Sequence, residues 1–377
     1  MQYRKLPKGT EQISVLGIGS SSIQASSEKE IEEIMDAAIE GGINFFDMAS
    51  SEAKPFAAYG RAIKGRRDKV YFQIHFGANY ETGTYGWTTD LDTVKRSVDW
   101  QMKALQTDYI DFGFIHCIDE PADLQNIEKA GIIRYIEELK EKGVVRHIGL
   151  SSHTPELVNK ALDRKGADSA GILDMLMFSI NPAYDYAGGE LDYATDSYAV
   201  GSVAERMNLY RRCETEGVGI SVMKAFSGGQ LLSAKTSPFG KALTEYQCIQ
   251  YALDKPGVLT VLPGVRSMAD LKRILGFCNA APEEKDYSVL GSFAPRDATG
   301  KCVYCNHCQP CPAGLDVGLI NKYYDLAKSG DELAKNHYEN LAVKAEACVR
   351  CGHCNSRCPF RVDQVARMQE IAAYFKC

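Results

Sequence analysis

Residues 127–150 read IEKAGIIRYIEELKEKGVVRHIGL, and they hold one helix and one strand in the order that decides the fold. Ile132, Ile136 and Leu139 recur at helical spacing, Gly143 ends the run, and an apolar strand starts near His147. The same unit recurs on both sides. From residue 13 to about 278, eight short apolar runs alternate with longer amphipathic ones: Val15–Gly19, Ile43–Asp47, Val70–His75, Tyr109–His116, His147–Ser151, Met175–Ser179, Gly219–Met223 and Leu259–Pro263. The intervening helices carry their own signals. Ser27 stands as an N-cap before EKEIEEIMDAAIEGG, with Ile31, Ile34, Met35 and Ala38 as the apolar stripe and Gly41 as the stop. Eight such units predict an α/β fold, a (β/α)8 TIM barrel with a parallel sheet. A doubly wound sheet is disfavoured, because no G-x-G-x-x-G joins a strand to a helix and GIGSSS lacks the third glycine.

Past Cys278 the periodicity stops. Residues 279–300, NAAPEEKDYSVLGSFAPRDATG, are rich in Pro, Gly and charge. The predicted division is therefore a barrel over 1–280, a linker over 281–300 and a second domain over 301–377. That last part holds two cysteine runs. CVYCNHCQPCP places Cys302, Cys305, Cys308 and Cys311 at three-residue steps before Pro312, and CVRCGHCNSRCP places Cys348, Cys351, Cys354 and Cys358 before Pro359. The second run has the C-x2-C-x2-C-x3-C-P spacing of bacterial iron–sulfur proteins; the first has two residues rather than three before its last cysteine.

Loop cysteines three apart turn their sulfurs toward one centre, while the fourth, before proline, points to a neighbouring cluster. Two [4Fe–4S] clusters are the predicted occupancy, Cys302, Cys305, Cys308 and Cys358 on one and Cys348, Cys351, Cys354 and Cys311 on the other. Structural zinc also uses C-x2-C pairs, but it needs four ligands per site and no following proline. Between the runs, Ile320, Tyr323, Tyr324 and Ala327 form a helical stripe, Gly330 is its stop, and a second helix starts at Asp331. The tail thus reads as a small, mainly helical iron–sulfur domain. Cys117, Cys213, Cys248, Cys278 and Cys377 are scattered singly and read as ordinary thiols.

The 377 residues carry a net charge of −6 with Lys and Arg scattered, which argues against nucleic acid or an anionic membrane as partner. The opening MQYRKLPKGTEQISVLGIG has no apolar core of signal-peptide length, and no stretch is long enough to span a bilayer. A cytoplasmic location is expected.

Barrels of this kind place their chemistry at the carboxyl ends of the strands, which singles out Asp47, His75, His116, Ser151 and the loop after Pro263. At these residues the chain resembles the aldo-keto reductase family. GINFFDMASSEAKPFAAYGRAI is similar to that family's GxNxxDTAxxYGxSExxLGxAL, RRDKVYFQIHFG to its RDKVxxxTKxG, DYIDFGFIH to its DYIDLxxxH, and VVRHIGLSSHTPE to its KxRxIGVSNxxxE. With the tail, it resembles a branch in which such a barrel is fused to a ferredoxin-like domain.

The resemblance implies a tetrad in which tyrosine protonates the substrate carbonyl, NADPH supplies hydride, lysine lowers the tyrosine pKa and aspartate pairs with lysine. Asp47 and the strand-end His116 keep their places, while Glu52 falls at the tyrosine position and His75 at the lysine position. The implied catalytic set is Asp47, Glu52, His75 and His116. A histidine, near 6.5, titrates closer to neutrality than a carboxyl at about 4.3, so His75 or His116 is the predicted proton donor. Tyr59 falls where the family has an apolar helix residue.

For the cofactor, Ser152, beside Ser151, stands where an asparagine holds the carboxamide, and Met177 replaces a glutamine. LPGVRSMADLKRIL resembles the family's phosphate loop, which implies Arg266, Ser267 and Lys272 at the 2′-phosphate of NADP(H); Arg273 and Ile274 replace the adenine-binding pair. No flavin fingerprint is visible.

The leading reading is an iron–sulfur oxidoreductase that reduces a small organic substrate at the barrel mouth. One alternative is a lyase, isomerase or dehydratase with a metal on Asp47, Glu52, His75 and His116. Another is an electron-transfer protein whose barrel binds a redox partner.

Overall fold

The computed structural model describes residues 1–164, 171–185, 200–287, 289–290, 302, 308–328, 333–358 and 361–376. A short antiparallel hairpin comes first, β1 (Tyr3–Lys5) with β2 (Gln12–Ser14). β3 (Ile18–Gly19), β4 (Phe45–Met48) and β5 (Tyr71–Phe76) follow. A second small hairpin, β6 (Ala78–Asn79) with β7 (Gly86–Trp87), interrupts the pattern. Then come β8 (Ile110–Ile115), β9 (Val145–Ser152), β10 (Met175–Ser179), β11 (Gly219–Met223) and β12 (Val258–Val261).

The large sheet has eight parallel strands in the order β3-β4-β5-β8-β9-β10-β11-β12. A parallel bridge between Leu16 and Val261 joins its two edges, through Gly17 N to Val261 O at 2.9 Å and Val261 N to Val15 O at 3.0 Å. The sheet is therefore a closed (β/α) barrel, and each of its strands lies on one of the eight apolar runs.

The helices form where caps and stripes place them. Ser27 caps the helix Glu28–Glu40 in a capping box with Glu30, and Ile31, Ile34, Met35 and Ala38 are its buried face. Ile132–Glu141 likewise buries Ile132, Ile133 and Ile136 against the sheet. Inside the barrel, Phe45, Phe112, Phe114, Met175, Met177, Leu259 and Leu262 form one apolar cluster with Leu6 and Ile13 of the first hairpin segment. That packing leaves room only for glycine at position 149, where an added Cβ would meet the Phe114 ring at 2.4 Å.

The C-terminal region is mainly helical, with Val317–Lys328, Leu333–Glu339, His353–Arg357 and Gln364–Tyr374. Tyr338 stacks on Phe375 at 3.8 Å between ring centroids. This region touches the barrel at the second hairpin, where Trp87 N donates to Asn336 Oδ1 at 3.3 Å. Cys305, Pro359, Cys377 and most of the predicted linker (288 and 291–300) lie outside the described residues. No described helix is long and apolar enough to cross a membrane.

At the amino end of the barrel, His147 of β9 lies 3.1 Å from Glu11 and 3.5 Å from Asp174, and its ring stacks on Phe112. Burial alone would lower its pKa, but hydrogen bonds to Asp174 and Glu11 outweigh burial and raise it above the ordinary 6.5. A raised folded-state value contributes stability that is full below the unfolded pKa and is lost as pH rises through the folded one. The stability difference between wild type and His147→Gln, measured by urea denaturation, should thus be largest below about pH 6 and shrink above neutrality, given the reference value near 6.5. A difference that grows with pH would contradict the pairing.

Candidate active site

Asp47 enters the barrel from β4, where parallel register sets it beside Gly19 on one side and Gln73 on the other. Its carboxylate is 3% exposed. Burying it is tolerable only because Oδ1 accepts from Gln73 Nε2 at 2.7 Å and meets His75 Nε2 at 2.7 Å. Gln73 is itself tied across the barrel, its Nε2 reaching Met177 Sδ at 3.0 Å and its Oε1 accepting from Ser221 Oγ at 2.9 Å. Met177, at the expected glutamine position, is thus part of the layer that orients Asp47.

His75 and His116 meet edge to face, their Nδ1 atoms 2.9 Å apart. His116 Nε2 then meets Tyr85 Oη at 2.9 Å. Burial, and after it the charge of His75, hold His116 well below the ordinary imidazole pKa, so it is neutral near pH 7. The tautomers follow from the ionised end. His75 Nε2–H donates to Asp47, His75 Nδ1 accepts from His116 Nδ1–H, and His116 Nε2 accepts from the Tyr85 hydroxyl. Four residues make one hydrogen-bonded line from the barrel interior to its mouth.

Three of the four expected catalytic residues therefore come together. Glu52 does not join them: its side chain is half exposed and its carboxylate lies 3.6 Å from Lys54 Nζ. Its backbone bridges to Thr84 of the second hairpin, and Ser51 O accepts from Tyr85 N at 2.8 Å. The loop that turns Glu52 outward thus carries Tyr85 in. Nothing in the motif comparison pointed to Tyr85; its one visible mark is an aromatic residue between Gly83 and Gly86, just past a strand-end histidine. Tyr59 is 1% exposed and packs on Phe46 and Phe72 in the core.

The cofactor residues fall at two places. Ser151 Oγ accepts from Cys117 N at 2.8 Å and Ser152 Oγ donates to Ile118 O at 2.6 Å, so both hydroxyls hold the loop after β8. Ser267 caps the helix Met268–Gly276 by accepting from Asp270 N, with Arg266 and Lys272 exposed around it. Arg273 is held by Glu245 and Asp270.

Among the C-terminal cysteines, Cys311, Cys348, Cys351 and Cys354 line one cavity together with Leu315, Val317 and Met368. Cys302 Sγ accepts from Gln364 Nε2 at 3.5 Å, and Cys358 Sγ accepts from Val362 N at 3.5 Å. Cys308 is buried.

The Aldo/keto reductase family model matches residues 15–247, and the chain belongs to that family. The uncharacterized oxidoreductase YqkF of Bacillus subtilis is 27% identical over 315 residues, covering 79% of this chain and 98% of that protein. The aldo-keto reductase yakc [NADP(+)] of Schizosaccharomyces pombe is 27% identical over 165 residues, 41% of this chain and 46% of that one. Among solved structures, the aldo-keto reductase AKR11C1 from Bacillus halodurans has the same fold, with a TM-score of 0.57 at 24% identity over 76% of this chain and 94% of that one. The protein is an oxidoreductase enzyme of the aldo-keto reductase type; the lyase and partner-scaffold alternatives are not favoured. The family match ends at residue 247 and does not reach the C-terminal cysteines.

The two placements separate in stability. Tyr85→Phe strands the buried His116 Nε2 and should cost about 1–3 kcal/mol, whereas Glu52→Gln should cost under about 0.5 kcal/mol as a surface change, both read by urea denaturation. Equal losses would contradict the assignment of Tyr85 to the buried line.

Proposed function

We propose that this protein is an iron–sulfur oxidoreductase that reduces a small organic substrate at the barrel mouth. The observation that carries the reading is Cys311 in one cavity with Cys348, Cys351 and Cys354, residues of the other run. Exchange of the fourth cysteine between two runs is the ligand pattern of two-cluster ferredoxins. Cys302 and Cys358 take hydrogen bonds from Gln364 and Val362, neighbours at the start of one helix, which supports a second set of Cys302, Cys305, Cys308 and Cys358. Cys311, Cys348, Cys351 and Cys354 share their cavity with Leu315, Val317 and Met368, and an all-cysteine donor set of this kind fits a [4Fe–4S] cluster. When bound, such clusters supply single electrons of low potential, received from a small redox partner protein. The division into barrel (1–280), linker (281–300) and ferredoxin-like domain (301–377) goes with this reading.

NADP(H) is the second cofactor proposed, supplying hydride when bound. Arg266, Ser267 and Lys272, around the start of the helix Met268–Gly276, would take its 2′-phosphate, where amide groups and two cations favour an anion. The NADP(+) in the name of the Schizosaccharomyces pombe relative is in keeping with this. Ser151 and Ser152 would act through the loop they hold.

The proton is handled by the chain itself. To donate, the line first takes up one proton from water at the mouth: Tyr85 passes a proton to His116 Nε2 and His116 passes its Nδ1 proton to His75 Nδ1, which leaves His75 protonated on both nitrogens against the Asp47 carboxylate. The Tyr85 hydroxyl then protonates the substrate oxygen as His116 Nε2–H reprotonates Tyr85 Oη and His75 Nδ1–H reprotonates His116 Nδ1. The line ends with His75 and His116 neutral and Tyr85 protonated, which is the resting arrangement. In this scheme Tyr85 is the acid at the substrate, and Asp47, His75 and His116 recharge it.

Protein purified without oxygen should carry about eight iron and eight sulfide per chain, as two [4Fe–4S] clusters require, and Cys354→Ser should lose about half of the iron. Stoichiometric zinc in place of iron, or full iron in Cys354→Ser, would overturn the proposal.

A further inference from the structure

A second group of ligand-type side chains lies beside the Tyr85 line and has no part in it. Cys117, Asp119 and His153 come from the loops after β8 and β9, and one donor atom from each lies within 4.8 Å of the other two. Cys117 Sγ is 3.4 Å from Asp119 Oδ2, which is 2.8 Å from His153 Nδ1. From the other side, His337 of the C-terminal helix Leu333–Glu339 brings Nε2 to 3.5 Å from Cys117 Sγ.

We propose that Cys117, Asp119 and His153 form a mononuclear site for a divalent transition metal of the zinc class, with His337 beside its sulfur. The spacing has the right scale. Bonds of about 2.3 Å to sulfur and about 2.1 Å to nitrogen or oxygen, at tetrahedral angles, set sulfur roughly 3.5 Å from each other donor. The sulfur–carboxylate edge, 3.4 Å, already matches, and the Asp119–His153 pair opens slightly as the ion replaces their shared proton. One thiolate, one imidazole and one carboxylate suit a borderline ion and not calcium or magnesium.

The supporting contacts are those a ligand set needs. Asp119 Oδ1 accepts from His153 N at 2.6 Å, which fixes the carboxylate, and Cys117 N donates to Ser151 Oγ. The side chains of Asp119 and His153 are each 8% exposed. His337 is oriented by stacking on Tyr323, with ring centroids 5.5 Å apart. Cys117 also holds a left-handed backbone, φ 52°, a conformation that costs energy for a non-glycine residue. An ion here would sit where His337 of the C-terminal region meets the barrel mouth.

The test is anaerobic titration of the full-length protein, C-terminal cysteines left as isolated, with cobalt(II) as an optical stand-in for zinc. Wild type should gain one equivalent of cobalt with intense tetrahedral ligand-field bands and a thiolate-to-cobalt band that Cys117→Ser lacks. His153→Gln keeps the sulfur, so it should retain the thiolate band with altered ligand-field bands and at least tenfold weaker binding; it also serves if Cys117→Ser folds poorly. Because the readout is a difference between variants, it is independent of what the C-terminal cysteines hold. Identical cobalt spectra and affinity in wild type and both variants would overturn the site.

Discussion

Two hydrogen bonds, Gly17 N to Val261 O and Val261 N to Val15 O, turn a curled sheet into a ring, and the chemistry of this protein depends on that closure. Closing the ring points Asp47, Gln73, Met177 and Ser221 from four different strands at one another across the interior. Water cannot solvate a carboxylate there, so its lone pairs must be met by protein donors. The line from Asp47 through His75 and His116 to Tyr85 satisfies that requirement and runs out to the mouth.

The barrel was legible because parallel strands buried on both faces read as near-continuous apolar runs, such as MLMFS of β10 and IDFGFI of β8. Its helices were legible from caps and stripes, as at Ser27. The β6–β7 hairpin was not, because its strands of two residues carry no period to detect. That blind spot hid Tyr85. It also explains the displaced Glu52, since gap-free counting along the β4 loop could not foresee the backbone bridge to Thr84 that turns the Glu52 side chain toward Lys54.

Asp47, His75 and His116 could be anticipated because each sits at or just past a strand end, where position along the chain maps directly onto position around the ring. Cys117 could not. Its neighbours Asp119, His153 and His337 come from two barrel loops and a C-terminal helix, and nothing in the spacing of a single cysteine marks such a convergence. The cysteine runs are the opposite case, where local spacing carries the chemistry but leaves open which sulfur joins which set.

That last point is the most direct to measure. If Cys311 completes the set of Cys348, Cys351 and Cys354, the Cys311→Ser, Cys351→Ser double variant should hold the same iron as Cys351→Ser alone, about four per chain from the one intact [4Fe–4S] cluster. Iron falling to near zero in the double variant would place Cys311 with the first run and contradict the exchange of ligands between the two.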